Sequence, residues 1–163
     1  MRRRHQLQIA MAVFAILALM VVILDRLTKA AAIQYLSDGH AQPFIPGVLD
    51  FQLVFNEGAA WGIFAGARYA FVALALVAIV VVLVYLVTAR PHATITVLAL
   101  GLLIGGAIGN AVDRFQTGRV VDFIHPLFID FPLFNIADSA ITCGIILLAV
   151  AILFSKPEQK PKD

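Results

Sequence analysis

At 163 residues, 61% hydrophobic and only 13% charged, the chain is far more apolar than a water-soluble domain, which runs roughly 45–50% apolar and about 25% charged. A formal charge of +2, with no Lys/Arg-rich run beyond Arg2-Arg3-Arg4, is too small to suggest a nucleic-acid binder, and the single cysteine, Cys143, excludes an internal disulfide or a cysteine-built metal site. The length suits one domain whose apolar surface faces lipid or neighbouring helices.

In chain order, Met1-Arg2-Arg3-Arg4 before an apolar stretch has the outline of a cleavable signal peptide. Ile9 to Leu24 has no polar residue, however, and Asp25, Arg26 and Lys29 follow at once. The one small-residue run, Ala30-Ala31-Ala32, lies beyond those charges, so a retained anchor is expected. Apolar stretches at Leu7–Leu24, Tyr69–Ala89, Ala93–Val112 and Ser139–Ser155 each approach the ~20 residues that cross a ~30 Å hydrocarbon core. None carries a charge, and lipid offers backbone groups no hydrogen bonds, so all four are expected to be helices. Gly101, Gly105 and Gly109, four apart on the third span, predict close approach to a neighbouring helix.

Four spans put both termini on one side with the Arg90 loop. That side holds Arg2, Arg3, Arg4, Arg90, Lys156, Lys160 and Lys162; the other holds Arg26, Lys29, Arg68, Arg114 and Arg119, a division of the 12 basic residues that favours cytoplasmic termini. The segments at about 25–68 and 113–138 then face outward. In the first, Arg26 to Leu36 reads as a helix along the membrane surface, and Pro43, Pro46 and Gly47 punctuate the chain. Leu49 to Phe55 alternates as a strand, and Gly58 to Phe64 pairs with it or turns. The expectation is an all-α integral membrane protein: a four-transmembrane-helix bundle with a small extracytoplasmic β-cradle and an amphipathic surface helix. Trp61 and the phenylalanines would sit at headgroup depth.

Polar residues gather at the outer ends of spans one, three and four: Asp25 and Lys29; Asn110, Asp113 and Arg114; then Asp122; then Asn135 and Asp138. Ionisable groups at membrane depth are costly, which makes such a cluster a functional candidate. Plainer readings exist for each. Asp25 and Lys29 suit an i,i+4 ion pair, Asp113-Arg114 an interfacial pair, Asp138 a helix N-cap, Cys143 a small packing residue and His125 an interfacial polar tip. Asp122, a lone carboxylate in Val120-Val121-Asp122-Phe123-Ile124, is harder to place that way. Two neighbouring carboxylates at a low-dielectric surface share a proton, an arrangement suited to activating water against a peptide bond. Spacing alone does not choose Asp122 and Asp138 over Asp113.

The chain resembles the lipoprotein signal peptidase (signal peptidase II) family over essentially its whole length. The resemblance rests on Leu24-Asp25-Arg26-Leu27-Thr28-Lys29, Asn56-Glu57-Gly58-Ala59-Ala60-Trp61-Gly62, the stretch from Gly105 to Arg114, Val120-Val121-Asp122-Phe123-Ile124 and Phe134-Asn135-Ile136-Ala137-Asp138-Ser139. Arg26 and Glu57 are mild departures from the family's usual residues. The resemblance implies a cofactor-free aspartic endopeptidase of the bacterial inner membrane that removes the signal peptide from diacylglyceryl-modified prolipoproteins, just before the lipidated cysteine. It implies Asp122 and Asp138 as the catalytic pair, with Asp113 the alternative. Asn56, Gly58, Asn110, Arg114, Asn135 and Ala137 would support or bind substrate, as would Asp25 and Lys29, while Asp113 would brace Arg114. The partners expected are the lipidated precursors and membrane lipid, with no nucleic acid and no metal, and the chain is expected to act as a monomer. A small transporter would also have four spans, but its charges should lie deeper.

Overall fold

The computed structural model describes residues 2–58, 63–88 and 93–154, the side chains of residues 2 and 3 excepted. Trp61, Arg90, Lys156, Lys160 and Lys162, on which parts of the sequence expectation rested, lie outside this set.

Helix α1 runs from Arg2 to Tyr35, α2 from Arg68 to Thr88, α3 from Thr94 to Thr117 and α4 from Ile136 to Phe154. All four are long and apolar enough to cross a membrane. The expected surface helix exists only as the end of α1, whose 34 residues contain no glycine or proline to break the ladder. At 1.5 Å per residue α1 spans about 50 Å, well beyond a hydrocarbon core, so its last turns leave the bundle and reach the sheet. Helix α3 continues five residues past the predicted Val112 and stops at Gly118, whose φ of 84° lets its N–H cap the Arg114 carbonyl at 3.0 Å.

Helix α3 is the centre of the bundle, packed against α1, α2 and α4. Between apolar helices in lipid the gain comes from tight packing, so small residues at the contacts matter. A Cβ on Gly105 would stand 2.8 Å from the Ala18 carbonyl oxygen of α1, and one on Gly106 would run into the Ala137 carbonyl of α4. The glycine stripe is therefore a packing surface, as its spacing predicts. Phe14, Val82, Leu86, Val97, Leu100 and Ile104 close the core between α1, α2 and α3. Leu74, Val77, Val81 and Val84 of α2 and Ile145, Ile152 and Leu153 of α4 are exposed, a surface suited to lipid chains.

The cradle is a three-stranded antiparallel sheet in the order β1-β2-β3, formed by Gln42–Ile45, Leu49–Asn56 and Val120–Pro126. Only β2 follows from the predicted alternation. Strand β1 carries Pro43, which an edge strand tolerates because its outer N–H side needs no partner. The sheet packs through Phe51, Leu53 and Phe123 onto Ala32 and Leu36 at the end of α1, and this fixes β3 over the start of α4.

Candidate active site

Four elements, β2, β3, α3 and α4, bring the site together. Register pairs Val54 of β2 with Asp122 of β3, so Asn56 lies on the same face, one diagonal step away. Its Nδ2 donates to Asp122 Oδ2 at 3.0 Å, while its Oδ1 accepts from the Gly58 N–H at 2.9 Å. Asn135, fully buried, sits just before α4 and caps it: its Oδ1 accepts the Asp138 N–H at 2.9 Å, and the Asn135 N–H donates back to Asp138 Oδ2 at 3.1 Å. This is a reciprocal capping box. Asn135 is thus the N-cap and Asp138 the third residue of the helix, not the cap that its position suggested. The remaining oxygen of Asp138 accepts from Asn110 Nδ2 of α3 at 2.7 Å, and Asn135 Nδ2 reaches Asp122 Oδ1 at 2.7 Å. Every oxygen of the two carboxylates therefore has an N–H donor, and Asn135 touches both.

Asp122 is 3% exposed. Burial first, and then the charge of nearby Asp138, push its carboxyl up to about 6, against the pull of the Asn56 and Asn135 donors. The group therefore keeps its proton to a higher pH than an ordinary carboxylate. Arg114 stands at the rim. Its guanidinium lies over the Phe71 ring at 4.5 Å and donates to the Gly58 carbonyl at 2.8 Å, tying α3 to the segment after β2. Asp122, Asp138, Asn56, Asn110 and Arg114 line the polar end of a cavity of ≈ 670 Å³ whose other walls are mainly apolar side chains of α2, α3 and α4.

The remaining predicted residues lie behind the cavity, toward α1. Asp25 and Lys29 do form the i,i+4 ion pair, at 2.8 Å, but fully buried rather than on a surface. Asp113 pairs with Lys29 at 2.8 Å and with Arg26, not with Arg114. Neighbours in a helix point about 100° apart, so the two residues of the Asp113-Arg114 pair serve different faces of α3. Ala137 contributes its N–H, which donates to Asp25 Oδ1 at 3.1 Å. Two participants were missed. Arg26, given no part in the site from sequence, completes the Asp113 contact, and Phe71 had no signal beyond being aromatic at a helix start. Cys143 is exposed on the cavity wall rather than packed. Among the described residues no three His, Cys, Asp or Glu side chains are grouped to share a metal ion.

A family model described as Signal peptidase (SPase) II matches residues 17–154. A lipoprotein signal peptidase of Geobacillus thermodenitrificans is 38% identical over 153 residues, 93% of this chain and 96% of its own. One of Lactobacillus johnsonii is 41% identical over 143 residues, 88% and 93%. A solved structure described as a bacterial membrane enzyme, obtained by the in meso method at 2.3 Å resolution, superposes with a TM-score of 0.84 at 36% identity, over 92% of this chain and 93% of that one. A second, at 1.9 Å resolution, gives 0.80 at 36% identity over 88% and 94%. With the four spans, these matches define a multi-pass membrane peptidase of the aspartic class. The chain belongs to the signal peptidase II family.

Proposed function

We propose that the chain, working as one membrane-embedded domain, removes signal peptides from prolipoproteins whose cysteine carries diacylglyceryl, cutting on the N-terminal side of that cysteine. The observation that carries this is the pairing of Asp122 and Asp138, joined through Asn135, at the polar end of a cavity walled by apolar faces of three helices. A substrate already in the bilayer can bring its signal helix to that cavity sideways. The test is cleavage of a lipidated precursor by the purified protein in detergent, with the new N-terminus at the modified cysteine; no cleavage by a folded protein sinks the proposal.

In the mechanism, ionised Asp138 takes a proton from water as the water oxygen bonds to the scissile carbonyl carbon. Protonated Asp122 passes its proton to the carbonyl oxygen, giving a neutral diol. Asp138 then protonates the departing nitrogen, the C–N bond breaks, and a diol proton returns to Asp122. One water is consumed and the pair ends singly protonated. This division follows from the environments. Asp138 lies in the first turn of α4, where the helix N-terminus favours negative charge by roughly 0.3–1 kcal/mol. Asp122 has its carboxyl raised to about 6. Isotope-edited infrared spectra of the resting enzyme, taken below pH 6, should place the protonated carboxyl stretch on Asp122; finding it on Asp138 reverses the roles. Asn56, Asn110 and Asn135 hold the pair in place, and Arg114 positions the Asn56–Gly58 segment.

The 12 basic residues, divided seven to five, support cytoplasmic termini and an active site at the outer face. Reporter domains fused after Gly39 and after Phe128 should both report the outer side, and a cytoplasmic signal from either would overturn this orientation.

A further inference from the structure

Behind the cavity, on the α1 side of α3, lies a buried polar cluster with no part in the chemistry just described. Lys29 is 2% exposed, and its ammonium has three acceptors: Asp25 Oδ2 and Asp113 Oδ2, each at 2.8 Å, and Asn110 Oδ1 at 2.9 Å. The contact with Asn110 is a hydrogen bond and the two with the carboxylates are ion pairs; an ammonium donates and accepts nothing. The other oxygen of Asp113 meets the Arg26 guanidinium, and the other oxygen of Asp25 meets the Ala137 N–H. Two carboxylates against two cations make the cluster formally neutral, the condition under which charges are buried at tolerable cost. Neutralising Asp25 and Asp113 does not require the third contact of Lys29.

That third contact reaches the catalytic pair. An Asn side chain has two ends of nearly the same shape and opposite hydrogen-bonding sense, and its neighbours decide which way it faces. Lys29 can only donate, so the end of Asn110 that faces it is the oxygen. Asn135 Nδ2 donates to the same oxygen at 3.1 Å. With Oδ1 held by two donors, the NH2 of Asn110 is left toward Asp138 and donates at 2.7 Å. Turned over, Asn110 would set an NH2 against an ammonium and a carbonyl oxygen against a carboxylate. Lys29 itself does not line the cavity.

We propose that Lys29 is a positioning residue for hydrolysis, acting from the far face of α3: it fixes the Asn110 carbonyl so that the Asn110 NH2 is presented to Asp138. This rests on the proposal that Asp138 belongs to the catalytic pair. Lys29→Leu alone would leave Asp25 and Asp113 with one cation, so the test uses charge-balanced variants. Asp25→Asn/Lys29→Leu removes one charge of each sign and keeps an oxygen for the Ala137 N–H. Its kcat on a lipidated precursor is expected to fall about tenfold or more, with KM changed less than about twofold. Asp25→Asn/Lys29→Gln, which restores a neutral donor toward Asn110, should regain most of that loss. In an Asn110→Leu background the same pair of substitutions should cost nothing further, because Lys29 acts through Asn110.

Parental kcat in the Leu variant, equal losses in the Leu and Gln variants, additive losses with Asn110→Leu, or failure of the charge-balanced variants to fold would each overturn the proposal and leave the cluster a brace between α1 and α3. Asp138→Asn is measured alongside. If it still cleaves, the catalytic assignment fails whatever Lys29 does. If it is dead while the Lys29 variants match the parent, only the positioning role falls.

Discussion

Asp122→Asn and Asp138→Asn are each expected to abolish cleavage, with rates down about a thousandfold or more, and the double variant should be little worse than either. The non-additivity is the informative part. Hydrolysis needs one carboxylate to take the water proton and one to give a proton to the carbonyl oxygen, so removing either removes the unit. Both variants should stay folded, since Asn keeps the shape of Asp. The Asp122 variant carries its own check on burial. The folded carboxyl is raised from 3.8 to about 6, so ionising it costs fold stability that is absent below 3.8, grows through that interval and is full above it. The stability of Asp122→Asn relative to the parent should therefore rise as pH climbs from 3.8 to about 6 and stay level beyond. Thermal unfolding across that window measures it, and a difference that ignores pH would contradict the burial argument. Asp113→Asn should behave differently. It leaves Lys29 and Arg26 facing Asp25 alone, so stability and activity should both drop in part. A dead Asp113→Asn beside an active Asp122→Asn would show the pair to be misassigned.

How much of this was legible depended on the range of the interaction. The four spans were plain because they are long, uncharged and set by lipid thickness alone. The continuity of α1 was also legible in principle: nothing between Arg2 and Tyr35 can break a helix, yet the charges at Asp25, Arg26 and Lys29 suggested a boundary. Arg26 and Lys29 are instead paired across to α3, and Asp25 is held by Lys29 and by the Ala137 N–H of α4. Nothing in the sequence marks Val120–Pro126 as a strand, because Asp122 interrupts its apolar run. That carboxylate is tolerated only because Asn56 and Asn135, 66 and 13 residues away in sequence, supply its donors. The resemblance implies a supporting role for Asn135, but not its contacts, since it bridges α3, β3 and α4 at once. Adjacent letters misled at Asp113-Arg114, where helical rotation gives the two side chains different partners. The motifs named the residues of the candidate site; its wiring required contacts that span 81 residues between Lys29 and Asn110 and 87 between Arg26 and Asp113.

A precursor whose cysteine is replaced by serine, and so cannot be lipidated, is expected to go uncut even at high enzyme concentration. The cavity's apolar wall runs from Asn110 down to Leu103 on α3 and from Phe71 down to Ala78 on α2. At 1.5 Å per residue that is about 10 Å of depth below the carboxylates on each helix. Acyl chains gain little by moving from bilayer to cavity, because both are apolar. What they resist is being drawn into water. Two chains on one cysteine make that resistance steep: shifting the scissile bond outward by one methylene exposes two, costing about 1.6 kcal/mol, roughly fifteenfold in occupancy. The lipid then works as a ruler that holds the peptide bond level with Asp122 and Asp138, where a signal helix alone could slide. Residues further along the mature chain, out in water, should matter little. The measurement compares cleavage rates of lipidated and serine-substituted precursors in one detergent at matched concentration. Comparable rates would defeat the ruler and, with it, the proposal that this peptidase acts only after its substrate's cysteine is lipidated.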